Sequence, residues 1–116
     1  MIRGVVLLAA LAAVTSASAG ETRTGSAVYA ERCAPCHGDA GAGDGPAAAA
    51  LEPRPRNFRD ASFWANRTDD QLRQVVRDGK PGTMMSPFKD ALSQPEIDAV
   101  VVYVRGFAPP APGAAH

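Results

Sequence analysis

Residues 29–46 read YAERCAPCHGDAGAGDGP, and the fold turns on how CAPCH at 33–37 is understood. Cys33 and Cys36 are the only cysteines in the chain, and His37 follows directly. A Cys33–Cys36 disulfide would close a very short loop and stabilise little through chain entropy. A thioredoxin-like dithiol opens a helix in a βαβ setting, and the sequence carries no convincing strand. Structural zinc takes four ligands; Cys33, Cys36 and His37 are three, and the other histidine is His116 in the tail. The fourth chemistry, c-type haem attachment, accounts for every residue of the motif. Each thiol can form a thioether with one vinyl group, and the adjacent histidine is then held beneath the iron as a proximal ligand. Covalent attachment uses both thiols and retains the group even in a protein too small to enclose it.

Upstream, MIRGVVLLAALAAVTSASAG has the layout of an export signal. Arg3 gives a short positive start, Gly4 to Val14 an apolar centre, and Ala17-Ser18-Ala19 a small-x-small cleavage pattern. A retained anchor is the competing reading, but the apolar run is short for a bilayer and ends in Gly20 and polar residues. The expectation is removal of residues 1–19 and a periplasmic protein with no membrane anchor after cleavage. About 97 residues then remain, enough for one modest core. Setting Arg3 aside leaves 11 basic against 12 acidic side chains, which excludes the clustered positive field of a nucleic-acid surface. Aromatic side chains make up only 6 % of the chain, a composition that a bulky apolar cofactor at the centre would help.

The helical pattern is clear at three places. A first helix is predicted over Thr24 to Cys36, with Val28/Arg32 and Tyr29/Cys33 at i,i+4 and Pro35 opposing continuation past the motif. GDAGAGDGP is a glycine-rich loop, AAAAL at 47–51 can hold one helical turn, and EPRPRNF at 52–58 cannot be regular helix. A second helix begins at the capping box Thr68–Gln71, carries Leu72, Val75 and Val76 on one face, and stops at Gly79. The last begins at Ser93-Gln-Pro-Glu96 and runs through Ile97, Val100, Val101 and Val104 to about Arg105. APPAPGAAH reads as a disordered Pro/Ala tail over 109–116. Three helices with long loops make a small all-α domain spanning 20–108, and loops that long in so small a domain wrap or bind something.

A ligand for the opposite face of the iron is sought in the loop KPGTMMSPF. Adjacent methionines commonly fill cores, yet this pair sits among turn formers, and a thioether here would be a soft sixth ligand that favours Fe(II). Neighbours in an extended loop point opposite ways, so one of Met84 and Met85 binds, and local physics does not choose between them.

With these features together, the chain resembles class I cytochrome c, in particular a bacterial periplasmic monohaem subset. The residues that carry the resemblance are Gly25, Tyr29, Cys33-Ala-Pro-Cys-His37-Gly38, Gly45-Pro46, Pro87-Phe88 and Ile97-x-x-Val100-Val101-x-Tyr103-Val104-Arg105. The resemblance implies one covalently attached haem c per chain. It implies His37 and Met85 as iron ligands, because Phe88 follows Met85 by three as in the family's M-P-x-F, with Met84 the alternative. Ser86 stands where the family usually has proline. It further implies that Pro46 supplies the carbonyl bonded to the proximal imidazole, and that Gly25, Tyr29 and Tyr103 form the crossing of first and last helices. Trp64 is expected either to bond a haem propionate or to be a plain core tryptophan. Among Arg54, Arg56, Arg59 and Arg67, one or two, with Arg56 chosen, are expected to offset propionate charge. Lys80 and Lys89 flank the methionine loop, where they can steer a partner.

The function expected is one-electron transfer between redox protein partners by a monomer or small-complex subunit, with no catalytic residue. A dedicated cytochrome subunit of a periplasmic dehydrogenase or oxidase is the nearest alternative. A haem enzyme or gas sensor requires an open distal position, and the sequence offers no distal histidine for it.

Overall fold

The structure is a computed structural model that describes residues 4–10 and 22–110. Most of the expected export signal and the last six residues of the Pro/Ala tail lie outside the described residues. Helices are the only regular elements among the described residues: α1 (Gly25–Val28), α2 (Ala34–His37), α3 (Ala61–Trp64), α4 (Asp69–Asp78) and α5 (Gln94–Arg105), with a single 3₁₀ turn at Ala48–Ala50.

The first helix begins as the sequence predicts, with Thr24 as N-cap accepting from the Ala27 N–H. It then departs from a uniform α-helix. Tyr29–Cys33 forms a widened turn in which the Ala34 N–H reaches back five residues to the Tyr29 carbonyl. Pro35 accounts for this, because it has no N–H for the ladder and its ring would strike the Glu31 carbonyl in a plain α-helix. Widening the turn places Pro35 at the start of α2, where a missing donor costs nothing. The helix therefore carries on through Cys36 to His37 and stops at Gly38.

α4 and α5 follow their sequence signals closely. Both capping boxes are present, Thr68 with Gln71 and Ser93 with Glu96. The α5 stripe of Ile97, Val100, Val101 and Val104 is buried, and Ile97, Val100 and Val104 share one core cluster with Val28, Tyr29 and Leu92. Fully burying one such aliphatic side chain contributes about 1.5–3 kcal/mol, so this stripe is the main apolar support of the fold. α1 crosses α5 at Gly25, where a Cβ would collide with the Ala99 carbonyl oxygen. Tyr29 and Tyr103 meet beside the crossing with ring centroids 5.1 Å apart, and Phe107 closes the cluster at 5.2 Å from Tyr29. Arg23 ties the same two helices from outside: its Nε donates to Glu96 at 2.7 Å and its Nη1 to Glu31 at 2.9 Å.

α3 is an element the sequence reading did not contain. Asp60 caps it by accepting from the Ser62 N–H, and Phe63 anchors it in the core. Asp60 before an apolar-containing run was the available signal, but four residues are too few to show a 3.6-residue period.

Candidate cofactor site

An open cleft lies between α4, the Cys33–His37 stretch, the second half of α5 and the loop after α4. Its walls are mainly Leu72, Val75, Val76, Val100, Val101 and Val104, with Phe58 and Phe63 at one side. Cys33, His37 and Met85, far apart in sequence, face this one space.

Both thiols are free, and Cys33 and Cys36 are each half-buried. Burial pushes the Cys33 thiol up to about 11, and the neighbouring Cys36 adds to the rise. A redox dithiol needs a depressed thiol pKa, so Cys33 does not have the character of a thioredoxin-like nucleophile. Among the described residues no group of three or more His, Cys, Asp or Glu side chains gathers as a metal-binding cluster.

His37 is held on two sides. Its ring stacks on Phe58, with centroids 4.4 Å apart and planes 17° from parallel. Its Nδ1 lies 3.1 Å from the Arg56 carbonyl oxygen. A carbonyl can only accept, so Nδ1 carries the proton and Nε2 keeps its lone pair for a metal. Burial lowers the His37 pKa and so favours the neutral ring, partly opposed by the Arg56 bond.

The acceptor on Nδ1 differs from the sequence expectation, which named Pro46. Pro46 is exposed, and the residues beside it are drawn to the back of α2. The Gly45 N–H bonds the Cys36 carbonyl at 3.0 Å and the Ala47 N–H bonds the Pro35 carbonyl at 2.9 Å. The extended segment before Phe58 takes the place beside the imidazole instead.

Trp64 is a second correction. Its Nε1–H donates to the Phe58 carbonyl at 2.6 Å, which leaves no indole donor for a propionate. The ring packs edge-on to Phe63 and lies under the Arg105 guanidinium, so it is the core tryptophan of the two expectations.

Of the four arginines singled out in sequence, two line the cleft. Arg67 sits 4.2 Å above the Phe63 ring and Arg56 lies 5.4 Å from it. The Arg67 Nε is buried without a hydrogen-bond partner, and burial followed by repulsion from Arg56 lowers its pKa. An anion between these two guanidiniums would relieve both effects. Arg59 instead donates to the Ala40 carbonyl, and Arg54 is exposed.

The loop after α4 separates the two methionines. Met84 is 71 % exposed, whereas Met85 is half-buried and faces the cleft. Hydrogen bonds fix this arrangement: Lys80 N–H to the Met85 carbonyl at 3.2 Å and Met85 N–H to Thr83 Oγ1 at 3.2 Å. Beyond it, the Phe88 N–H donates to the Val76 carbonyl at 2.9 Å and Lys89 to Arg77 at 3.1 Å, pinning the loop onto α4. Phe58 and Phe63 are cleft residues that the sequence reading did not name, since neither lies on a recognisable helical stripe.

These groups fit a c-type haem. The cleft is apolar, a bare imidazole nitrogen and a thioether face it, two free thiols stand at the attachment spacing, and an unpartnered guanidinium nitrogen is positioned for a carboxylate. Fold and site together define a small all-α c-type cytochrome. A family model described as cytochrome C oxidase, cbb3-type, subunit III matches residues 20–104. The chain belongs to this family of cytochrome c domains: it is a haem electron-transfer protein and carries covalently bound haem c.

No curated protein matches the chain. Among solved structures it is similar to the c-type cytochrome KustC0563, with 32 % identity and a TM-score of 0.63 over 75 % of this chain and 100 % of that one. It is also similar to a chain of the Kuenenia stuttgartiensis reducing HAO-like protein complex Kustc0457/Kustc0458. There identity is 31 % and TM-score 0.65, over 76 % of this chain and 43 % of the other. Dihydro-heme d1 dehydrogenase NirN, in complex with DHE, matches with 30 % identity and a TM-score of 0.57 over 75 % of this chain and 16 % of that one. The same domain thus occurs as a whole chain and as part of larger ones.

Proposed function

We propose that this protein is a periplasmic one-electron carrier in which Cys33 and Cys36 attach the haem and His37 and Met85 ligate its iron. The observation that carries this reading is that Met85 faces the cleft holding Cys33 and His37 while Met84 is turned to solvent. When bound, the haem supplies an Fe(III)/Fe(II) couple. The rest follows from what the side chains do. Phe58 and the Arg56 carbonyl fix the imidazole plane, and the bonds across Lys80–Met85 and Phe88–Val76 hold the thioether in place. With His37 and Met85 both holding the iron, the protein would leave no open position for a substrate, and no residue of the chain would be catalytic. Arg56 and Arg67, which line the cleft beside Phe63, would offset the propionate charges. The aliphatic walls exclude water. Donor and acceptor are redox proteins that dock weakly and briefly.

Export of a mature 20–108 domain after loss of residues 1–19 is part of the same proposal, supported by the signal pattern and by c-type attachment. Among the described residues no helix is long and apolar enough to cross a membrane. A second reading, a dedicated subunit of a larger redox assembly, has its own support in the relatives where this domain is part of a complex or a longer chain. Gel filtration of protein purified from its native periplasm separates them, a stoichiometric partner favouring the subunit. Optical and EPR spectra of the oxidised protein test the ligation. Low-spin iron with a weak near-infrared sulfur-to-iron band is expected; high-spin iron would overturn the carrier reading.

A further inference from the structure

We propose that Gly43 is a positioning residue for the axial imidazole, acting through the main-chain carbonyl of Arg56. The inference rests on the reading of His37 as an iron ligand. Gly43 is buried with φ +77°, and a Cβ there would meet the Pro55 carbonyl oxygen at 2.8 Å and the Arg56 carbonyl oxygen at 3.2 Å. Hydrogen in place of that Cβ is what lets the Pro55–Arg56 main chain close onto the loop. The Gly43 N–H donates to the His37 carbonyl at 2.8 Å, and the Phe58 N–H donates to the Gly41 carbonyl at 2.7 Å. The loop 41–43 is therefore clamped to the histidine on one side and to the 55–58 segment on the other. Its thickness sets how near the Arg56 oxygen comes to His37 Nδ1, which is 3.1 Å.

The consequence is electronic. A carbonyl that accepts from Nδ1–H makes the imidazole more electron-rich and Nε2 a stronger donor, which favours the oxidised metal. A side chain at 43 pushes the carbonyl outward, weakens that bond and moves the couple toward the reduced state. Gly43 and the Arg56 backbone thus tune the reduction potential without touching the haem.

Gly43→Ala and Gly82→Ala form a matched pair. Both glycines have positive φ, +77° and +78°, so alanine strains the backbone similarly, but nothing lies within 4 Å of a Cβ at Gly82. In Gly43→Ala the reduction equilibrium is expected to move toward the reduced form by about tenfold, about 59 mV for a one-electron couple. No such rise is expected in Gly82→Ala. An unmoved or lowered potential in Gly43→Ala, or an equal rise in both variants, overturns the proposal. NMR of the reduced wild-type holoprotein gives a test that needs no variant to fold. Strongly ring-current-shifted His37 signals with an NOE from Nδ1–H to Arg56 or Asn57 are expected. The same shifted signals with an NOE to the Pro46 segment would refute the Gly43 proposal alone. Unshifted His37 signals would refute the axial assignment itself.

Discussion

The two sides of this molecule are stabilised differently. Where α1 crosses α5, side chains fill the space: Val28, Tyr29 and Ile97 are at most 2 % exposed, and Arg23 ties the helix starts together from outside. Around the cleft, short pieces of chain are arranged by main-chain bonds and aromatic stacking, and α4 has no fully buried residue. Its apolar face, Leu72, Val75 and Val76, turns to the cleft instead. One side is complete as polypeptide; the other is shaped around a large apolar group. A chain with so few aromatic residues can cover both sides only because a cofactor shares its core.

The sharpest way to break this comparison is to remove the attachment. Cys33→Ala with Cys36→Ala should abolish haem retained on a denaturing gel and leave α4 and the methionine loop unprotected in hydrogen exchange, with more protection kept at the α1–α5 crossing. Equal loss of protection on both sides would contradict the division. Next in size is Gly25→Val. Its side chain must displace the Ala99 carbonyl, a backbone atom that cannot swing away, so a loss of about 1–3 kcal/mol or more is expected. In a domain of this length that lowers Tm by on the order of 10 °C, read by thermal melting, with the haem spectrum little changed.

A smaller effect comes from Ser93→Ala, which removes the acceptor for the Glu96 N–H at the start of α5. The cost expected in denaturant titration is about 1 kcal/mol. The smallest is a pH effect. Hydrogen bonding from Arg23, then from the Ser93 backbone, holds the Glu96 carboxyl at about 2, well below its ordinary 4.5. A lowered folded-state pKa contributes stability above the unfolded value and loses it as pH falls through the folded one. Melting points should therefore decline between about pH 4.5 and 2, and Glu96→Gln should flatten that decline. An unchanged acid slope in the variant would show that Glu96 carries none of it.

What was legible in the sequence was what is encoded locally. Two capping boxes, one proline and a terminal glycine fixed α4 and α5, because each signal acts within four residues of itself. CAPCH was equally plain, since the spacing is the chemistry. The widened turn at Tyr29–Cys33 was half visible: Pro35 announced a conflict, but a helix can resolve that by stopping or by widening. The partners of His37 and Trp64 were not legible. Both are carbonyl oxygens, of Arg56 and Phe58, and a backbone acceptor has no residue type to mark it. Their positions depend on how the 52–58 segment settles against the glycine loop, a contact between distant residues. The resemblance pointed to Pro46 and to a propionate for these two donors, and neither matched the path the 52–58 segment takes. Arg67 lay in the open, one of four arginines, but only its burial and its unpartnered Nε distinguish it from solvated neighbours.

The central claim is that His37 and Met85 approach one haem from the two walls of the cleft, and the adjacent methionines test it most directly. Met85→Ala and Met84→Ala remove the same thioether one position apart, one facing the cleft and the other 71 % exposed. The account predicts that Met85→Ala abolishes the near-infrared sulfur-to-iron band and lowers the reduction potential, while Met84→Ala keeps both at wild-type values. A band that survives Met85→Ala, or vanishes in Met84→Ala, would contradict it.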